Sequence, residues 1–205
     1  METDIQELKL NLRQSNIKYV KVAITDIDGV LRGKYMHVDK FLKSIESGYG
    51  FCDVIFGWDS SDDLYEFKIS DKQNLFTGWH TGYPDQTVRI ILDSQRTIPF
   101  ERNTPFFLSE LKDGEVCPRN ALKKALKLLK ELGFKGKSAL EYEFFLFNET
   151  PHSVREKDFQ NLTSFTPGMF GYSILRNSVH SELYHDFIDT CRVMNMELEG
   201  IHTET

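Results

Sequence analysis

Residues 140–147 read Leu-Glu-Tyr-Glu-Phe-Phe-Leu-Phe. This aromatic-rich run predicts a β-strand that extends from Ser138 to Phe147. Side chains two positions apart share one face of a strand, so Glu141 and Glu143 are expected to point the same way, about 7 Å apart. Burial of two carboxylates beside aromatic rings is costly unless a cation neutralises them, and Mg²⁺ or Mn²⁺ with oxygen ligands would do so. The alternative is an exposed polar stretch on the open face of a half-solvated sheet.

An amphipathic helix is predicted immediately before this strand. Pro118 suits its first turn and Gly133 its C-terminal cap, and its apolar stripe consists of Ala121, Leu122, Ala125, Leu126, Leu129 and Leu132. After the strand come a polar loop and a second amphipathic helix, whose apolar face holds Val179, Leu183, Phe187, Cys191 and Met194. A final strand is predicted to begin near Glu197. Helix, strand, helix and strand in this order predict an α+β fold.

The last predicted strand carries a second group of polar side chains. It includes Gly200-Ile201-His202-Thr203-Glu204, and the same period of two places His202 and Glu204 on one face. Glu204 could therefore add a third carboxylate to the pair on the earlier strand. Taken alone, a His and a Glu on a strand also fit a solvated surface.

The first half of the chain predicts a smaller mixed unit. Its expected elements are a helix at Ile5–Leu12, a strand at Tyr19–Asp26, a turn at Asp26–Gly29, a strand at Val30–His37, a helix from an Asp39 N-cap to about Gly48, and strands at Phe51–Phe56 and Thr87–Asp93. The last two flank a loop from Gly57 to Pro84, long enough to be functional. A linker-like texture at Phe100–Pro105 divides the chain into residues 1–101 and 102–205.

The beginning of this long loop is acidic. Gly57-Trp58-Asp59-Ser60-Ser61-Asp62-Asp63 carries three carboxylates within five residues, which could hold a cationic amine. The same residue types are also common in turns, where they bond to their own backbone. Both interpretations stay open at this point.

Composition excludes several classes of protein. The net charge of -6 and the lack of a Lys/Arg run give no basic surface for nucleic acid. The chain has no apolar stretch of the roughly 20 residues that a membrane helix needs, and its acidic first residues do not resemble a signal peptide. We therefore expect a soluble, cytoplasmic protein. The three cysteines are far apart and predict neither a disulfide nor a metal site, and nucleotide-binding and hydrolase motifs such as GxxxxGK[ST], GxGxxG, GxSxG and HExxH are absent.

Five stretches, taken in order, resemble the glutamine synthetase superfamily: Thr25-Asp26 to Gly33-Lys34, Asp59-Ser60-Ser61, Pro118-Arg119-Asn120-Ala121-Leu122, residues 141–147, and His202-Thr203-Glu204. The resemblance spans nearly the whole chain. Its most specific element is the acidic and aromatic strand placed just after a helix that starts with Pro. By this resemblance, residues 1–101 form a β-grasp-like domain and residues 102–205 begin the catalytic α+β domain.

The resemblance also implies a chemistry. Glu141 and Glu143 would serve two different Mg²⁺ or Mn²⁺ ions, Glu204 would join one of them, and His202 would lie near the ATP and metal site. ATP would phosphorylate the γ-carboxylate of glutamate, and ammonia or an amine would displace the phosphate. Family members are ring-shaped homo-oligomers, in which Asp59 would reach the amine site of a neighbouring subunit. The family's usual Asp-Gly-Ser-Ser is Asp59-Ser60-Ser61 here, which leaves ammonia or an amine open.

Three hypotheses follow from these observations. The first is a parent γ-glutamyl ligase of which this stretch alone is inactive, because its active-site sheet is incomplete. The second is a non-catalytic member of the same fold that serves as a scaffold or structural assembly protein. The third is a free-standing regulatory or interaction module that ends at Thr205.

Overall fold

The computed structural model describes residues 5–65, 76–114 and 116–204. They form two compact units, one of residues 1–136 with 193–195 and one of residues 137–192 with 196–205. The first unit contains helices α1 (Ile5–Gln14), α2 (Val38–Ser47) and α3 (Pro118–Glu131), and strands β1 (Tyr19–Thr25), β2 (Leu31–His37), β3 (Tyr49–Cys52), β4 (Asp85–Ile90), β5 (Arg96–Ile98) and β6 (Thr104–Leu111). The remaining helices are α4 (Pro151–Glu156), α5 (Ile174–Val179) and α6 (Ser181–Val193). The chain is thus a mixed α/β protein, and among the described residues no helix is both long and apolar enough to cross a membrane.

The strands of the first unit form one mixed sheet in the order β2-β1-β6-β4-β3, with β5 paired to β6. β1 and β6 are parallel, and the other pairs are antiparallel. β1 forms because Val20, Val22 and Ile24 alternate along it and are almost completely buried, a pattern that suits β-branched residues on a pleated surface. The core continues in α2, where the ring of Phe41 lies 4.6 Å from that of Phe107 on β6.

The predicted helix and hairpin at the start of the chain are confirmed. α1 buries Leu8 and Leu12, and β1 and β2 pair in register from Tyr19–His37 to Thr25–Leu31. The predicted N-cap of α2 is wrong: α2 begins at Val38, because the imidazole Nδ1 of His37 accepts the amide hydrogen of Asp39 at 3.2 Å. A ring nitrogen two residues upstream therefore replaces the expected carboxylate cap.

The turn between β1 and β2 is held by Asp26, whose side chain is completely buried. Its Oδ1 accepts the amide hydrogens of Asp28 at 3.0 Å and Val30 at 2.8 Å. Gly29 adopts φ +86°, a conformation that L-residues with a side chain rarely take. The predicted turn is therefore present, and its aspartate is structural.

The second pair of predicted strands is shifted. β3 ends at Cys52, and residues 53–56 form a 3₁₀ turn instead of continuing the strand. Asp53 is buried there and accepts hydrogen bonds from Thr77 at 2.5 Å and Gln86 at 3.1 Å. β4 runs from Asp85 to Ile90, two residues earlier than expected. Part of the predicted long loop, residues 66–75, lies outside the described residues.

The two compact units divide after Gly136. The predicted domains 1–101 and 102–205 stay a prediction; their boundary precedes β6, which lies in the sheet between β1 and β4. Residues 100–105 include the turn between β5 and β6, closed by the Thr104 amide donating to the Glu101 carbonyl. A tight turn and an interdomain linker use the same residue types.

Helices of the second unit match the sequence better than its strands do. The predicted second amphipathic helix occurs as α5 and α6, which are interrupted at His180. Residues 134–146 and 197–204 are not assigned to ladder strands, and within the described residues the segment 138–147 makes a single bridge, Phe147 to Ser164. The two predicted strands are thus absent as ladders, because a strand requires a partner and helices do not.

Candidate functional site

Tyr172, in the second unit, binds one of the predicted carboxylates and is influenced by the charges of two others. Its hydroxyl donates to Glu204 Oε1 at 2.9 Å, and His202 Nε2 lies 2.8 Å from the same oxygen. The hydrogen bond to Glu204 and its charge, followed by burial and the charges of Glu141 and Glu143, raise the pKa of Tyr172. We call these five residues the Tyr172 cluster. The carboxylates predicted from two distant segments therefore act on one phenol.

Backbone hydrogen bonds hold the two ends of this cluster together. The Tyr172 amide donates to the Thr203 carbonyl at 2.8 Å, and Thr203 Oγ1 donates to the Phe170 carbonyl at 3.0 Å. The rings of Tyr172 and His202 stack with centroids 4.7 Å apart. Tyr172 has φ +57°, a conformation that is rare for a bulky residue and occurs more often at functional sites than elsewhere.

The aromatic residues beside Glu143 alternate as they do in an extended chain. Phe144 contacts Phe187 of α6, with ring centroids 5.8 Å apart. Phe145 instead contacts Phe147, two positions on, at 6.4 Å. This alternation is consistent with an extended chain in which Glu141 and Glu143 lie on the same side as Phe145 and Phe147, away from α6.

The donor set of the cluster fits a divalent cation. Three carboxylates and one imidazole concentrate negative charge at a solvent-accessible place, and carboxylate oxygens are the ligands that Mg²⁺ and Mn²⁺ prefer. Among the described residues, no three His, Cys, Asp or Glu side chains are placed so that they could hold a single ion. The arrangement therefore offers carboxylates for cations without forming a closed cage.

Asp59 lies in the first unit, at the tip of a small hairpin. Trp58 and Leu64 form an antiparallel bridge, and Asp59 and Asp63 close the tip through a backbone hydrogen bond of 3.0 Å. Asp59 Oδ1 accepts the amide hydrogens of Ser61 at 2.8 Å and Asp63 at 3.1 Å. We call residues 59–63 the Asp59 tip. The aspartate thus does the turn chemistry that its sequence predicts, and its half-buried carboxylate is fixed in place.

The sequence did not predict a role for two residues of these sites. Tyr172 stands in a polar loop without periodicity, and only its contacts with Glu204 reveal a role. Arg32 on β2 donates to Asp26 Oδ2 at 2.8 Å, to the Asp59 carbonyl at 3.1 Å and to Asp62. The alternation of β2 predicts on which face of the sheet Arg32 lies. It does not predict the partners of Arg32, which are 27 and 30 positions away in the chain.

Comparisons with known proteins identify the family of the chain. Residues 115–205 match the family described as glutamine synthetase, catalytic domain. The chain is 44% identical over 206 residues to type-1 glutamine synthetase 2 of Dictyostelium discoideum, covering 98% of this chain and 38% of that protein. It is 30% identical over 199 residues to a glutamate–isopropylamine ligase of Pseudomonas sp, covering 94% of this chain and 42% of that protein.

A solved structure shares the fold at low sequence identity. The glutamine synthetase of Plasmodium falciparum matches with a TM-score of 0.57 at 17% identity, covering 98% of this chain and 42% of the other. The chain spans about two-fifths of the length of the curated relatives it matches.

Proposed function

We propose, because this chain belongs to the glutamine synthetase superfamily, that it forms part of an ATP-dependent ligase that joins ammonia or an amine to the γ-carboxylate of glutamate. The observation that carries the proposal is the Tyr172 cluster, in which Tyr172 binds Glu204 and the charges of Glu141 and Glu143 act on the same phenol. The named activities of two relatives, glutamine synthetase and glutamate–isopropylamine ligase, support this reaction class. They differ in the amine, so the proposal includes both ammonia and larger amines.

In this proposal Glu141, Glu143 and Glu204 hold Mg²⁺ or Mn²⁺. When bound, these ions neutralise the phosphate charge of ATP and of the γ-glutamyl phosphate. The two strand carboxylates serve different ions and Glu204 joins one of them, which is compatible with the lack of a three-ligand cage among the described residues.

Tyr172 and His202 orient Glu204 in this scheme. The phenol donates a hydrogen bond to Glu204 Oε1 and the imidazole contacts the same oxygen. A carboxylate held at one oxygen keeps the other available in a fixed direction, as neighbouring hydrogen-bond donors do for metal-binding carboxylates in general. The stacked rings of Tyr172 and His202 limit the freedom of both donors.

Asp59 is assigned to the amine site of a neighbouring subunit in a ring-shaped homo-oligomer. A carboxylate fixed by two amide hydrogen bonds provides a stationary negative charge for an ammonium group, with little entropy lost on binding. Residues 1–101 are in turn proposed to be β-grasp-like. They contribute β1 to β5 to the mixed sheet, and α2 packs on that sheet, which supports the description.

The proposal is tested by assaying full-length protein that carries this sequence. With glutamate, Mg²⁺ or Mn²⁺, and a panel of ammonia, isopropylamine and diamines, ADP and a γ-glutamyl product should form together. Glu143→Gln should lower kcat by about 100-fold or more, since it removes a carboxylate that would hold an ion able to neutralise the phosphate charge. Glu199→Gln, an exposed acid of the same unit, is the matched control and should leave the rate unchanged. ADP formation with none of the amines would refute the ligase and favour the scaffold hypothesis.

A further inference from the structure

Arg32 connects two turns that are far apart in the sequence. On one side its Nε donates to the buried carboxylate of Asp26, at 2.8 Å. On the other side two further nitrogens donate to the Asp59 tip, one to the carboxylate of Asp62 and one to the carbonyl of Asp59 at 3.1 Å. Each nitrogen of the guanidinium group therefore has its own acceptor.

The anchor of this connection is rigid. Asp26 is completely buried, and its other oxygen already accepts the amide hydrogens of Asp28 and Val30. The Arg32 side chain is only 16% exposed, and its guanidinium carbon lies 5.2 Å from the centre of the Trp58 ring at the base of the tip. Shielding from water strengthens such charged hydrogen bonds, so the link is stronger than a surface ion pair.

The chemistry of the link requires arginine. Three acceptors in different directions match the planar fork of a guanidinium group, whereas an ammonium group offers a single nitrogen. The carbonyl of Asp59 also accepts the amide hydrogen of Asp62 at 3.1 Å, so Arg32 contacts the same peptide group that closes the tip. The position of the Asp59 carboxylate thus depends on Arg32.

The other arm of the long loop has its own anchor. Thr77 and Gln86 donate hydrogen bonds to the buried carboxylate of Asp53, which lies outside the tip. The base of the tip is fixed by the backbone, through the Tyr65 amide and the Gly57 carbonyl at 2.9 Å. Loss of Arg32 would therefore loosen the tip and leave both the base and the other arm in place.

We propose that Arg32 is the positioning residue of the Asp59 tip and determines how well the protein binds its amine co-substrate. The part that concerns the amine rests on the proposed function of Asp59. The part that concerns the tip rests on the contacts of Arg32 alone. Arg32 itself need not touch the amine in this proposal, because it acts by fixing the backbone that carries Asp59.

The test compares Arg32→Lys with Lys21→Met in this chain. Lys21, on the neighbouring strand, is paired with Glu101 at 2.6 Å, so Lys21→Met is a control that removes a paired cation of the same sheet outside the tip. Amide hydrogen exchange of Ser61 and Asp63 should accelerate about tenfold or more in Arg32→Lys, although the charge is kept. In Arg32→Lys, the exchange of the core amides of β1 and β6 should be unchanged. In Lys21→Met, the exchange of the tip amides should be unchanged. Unchanged tip exchange in Arg32→Lys, or equal acceleration in tip and core, would overturn the proposal.

A second measurement separates this inference from the proposed function. In full-length protein, Arg32→Lys should raise the KM for the amine about tenfold, with the KM for ATP unchanged. A protein without ligase activity would refute the proposed function, while tip exchange would still decide whether Arg32 positions the tip. If Arg32→Lys is an active enzyme with an unchanged KM for the amine but faster amide exchange in the Asp59 tip, only the effect on the amine is refuted.

Discussion

The two units differ most in what they bury. All the buried apolar side chains of the described residues lie at or before Cys117, most of them on α1, α2 and the sheet, and Ile55 and Phe56 on the 3₁₀ turn. The second unit has no buried residue among those described, and Phe145 is 88% exposed. Both units have amphipathic sequences, so the difference shows that a periodic pattern specifies helices locally but does not by itself supply the surface that covers them.

The largest expected effect tests this difference in packing. Phe107→Ala should lower the free energy of unfolding of the first unit by about 3–5 kcal/mol, because the ring is completely buried against Phe41. Phe145→Ala in the second unit should change the free energy of unfolding by about 0.5 kcal/mol or less. Both tryptophans, Trp58 and Trp79, lie in the first unit, so urea unfolding followed by their fluorescence reports on it. Equal effects of the two substitutions would contradict the contrast between the units.

A smaller effect is expected at the ion cluster that joins α3 to the sheet. Glu110 on β6 is almost completely buried and is paired with Arg89, Arg119 and Lys123. Burial acts to raise the pKa of Glu110, but hydrogen bonds from Lys123 and Arg89 outweigh it, so the pKa lies below its ordinary value. Glu110→Gln should lower the free energy of unfolding by about 1–3 kcal/mol, because three cations lose their counter-charge.

The pH dependence of this cluster has a definite sign. A carboxyl group with a depressed pKa stabilises the folded state above its unfolded pKa, and this contribution is lost as the pH falls. The wild-type protein should therefore lose more stability on acidification than Glu110→Gln. Glu46→Gln, which removes the exposed partner of Lys9, is the control and should cost about 0–1 kcal/mol. A Glu110→Gln protein with the same acid sensitivity as wild type would show that Glu110 is not the titrating group.

The smallest expected effect is local and lies in the second unit. Hydrogen bonds from Lys157, Ser153 and the Thr163 amide lower the pKa of Glu149 to about 2. The Thr163 amide should therefore stay protected from exchange below the ordinary carboxyl pKa of 4.5 and lose protection only as the pH approaches 2. NMR-detected hydrogen exchange measures the protection of the Thr163 amide relative to an unstructured chain. Glu149→Gln should remove the pH dependence of that protection. Loss of protection already near pH 4.5 would show that these hydrogen bonds do not hold Glu149.

The sequence predicted the fold best where a segment needs no distant partner. The helices α1 and α3, the hairpin turn at Asp26 and the alternating burial of β1 follow from local patterns. The central position of β6 does not, because its partners β1 and β4 lie far away in the chain. The strand predicted at 138–147 forms no ladder, because a periodic sequence pattern does not by itself ensure that a neighbouring strand pairs with it.

For the candidate site, the sequence predicts the acids but not the residues that contact them. Glu141, Glu143 and Glu204 remain a prediction from spacing and from the resemblance, since carboxylates two apart on an extended chain face the same way. Tyr172 binds the Glu204 carboxylate 32 positions away, and Arg32 binds the Asp59 carbonyl and the Asp62 carboxylate 27 and 30 positions away. The sequence carries no local signal of such pairs. Their contribution depends on tertiary contacts that only the structure displays.

Titration of this chain with Mn²⁺, followed by the electron paramagnetic resonance of the free ion, tests most directly whether the Tyr172 cluster binds cations. Saturable binding is predicted, weakened about tenfold or more by Glu143→Gln, since each tenfold step corresponds to about 1.4 kcal/mol. Glu199→Gln should bind as wild type does. Absence of saturable binding, or equal binding by wild type and Glu143→Gln, would contradict the assignment of these carboxylates to a metal site.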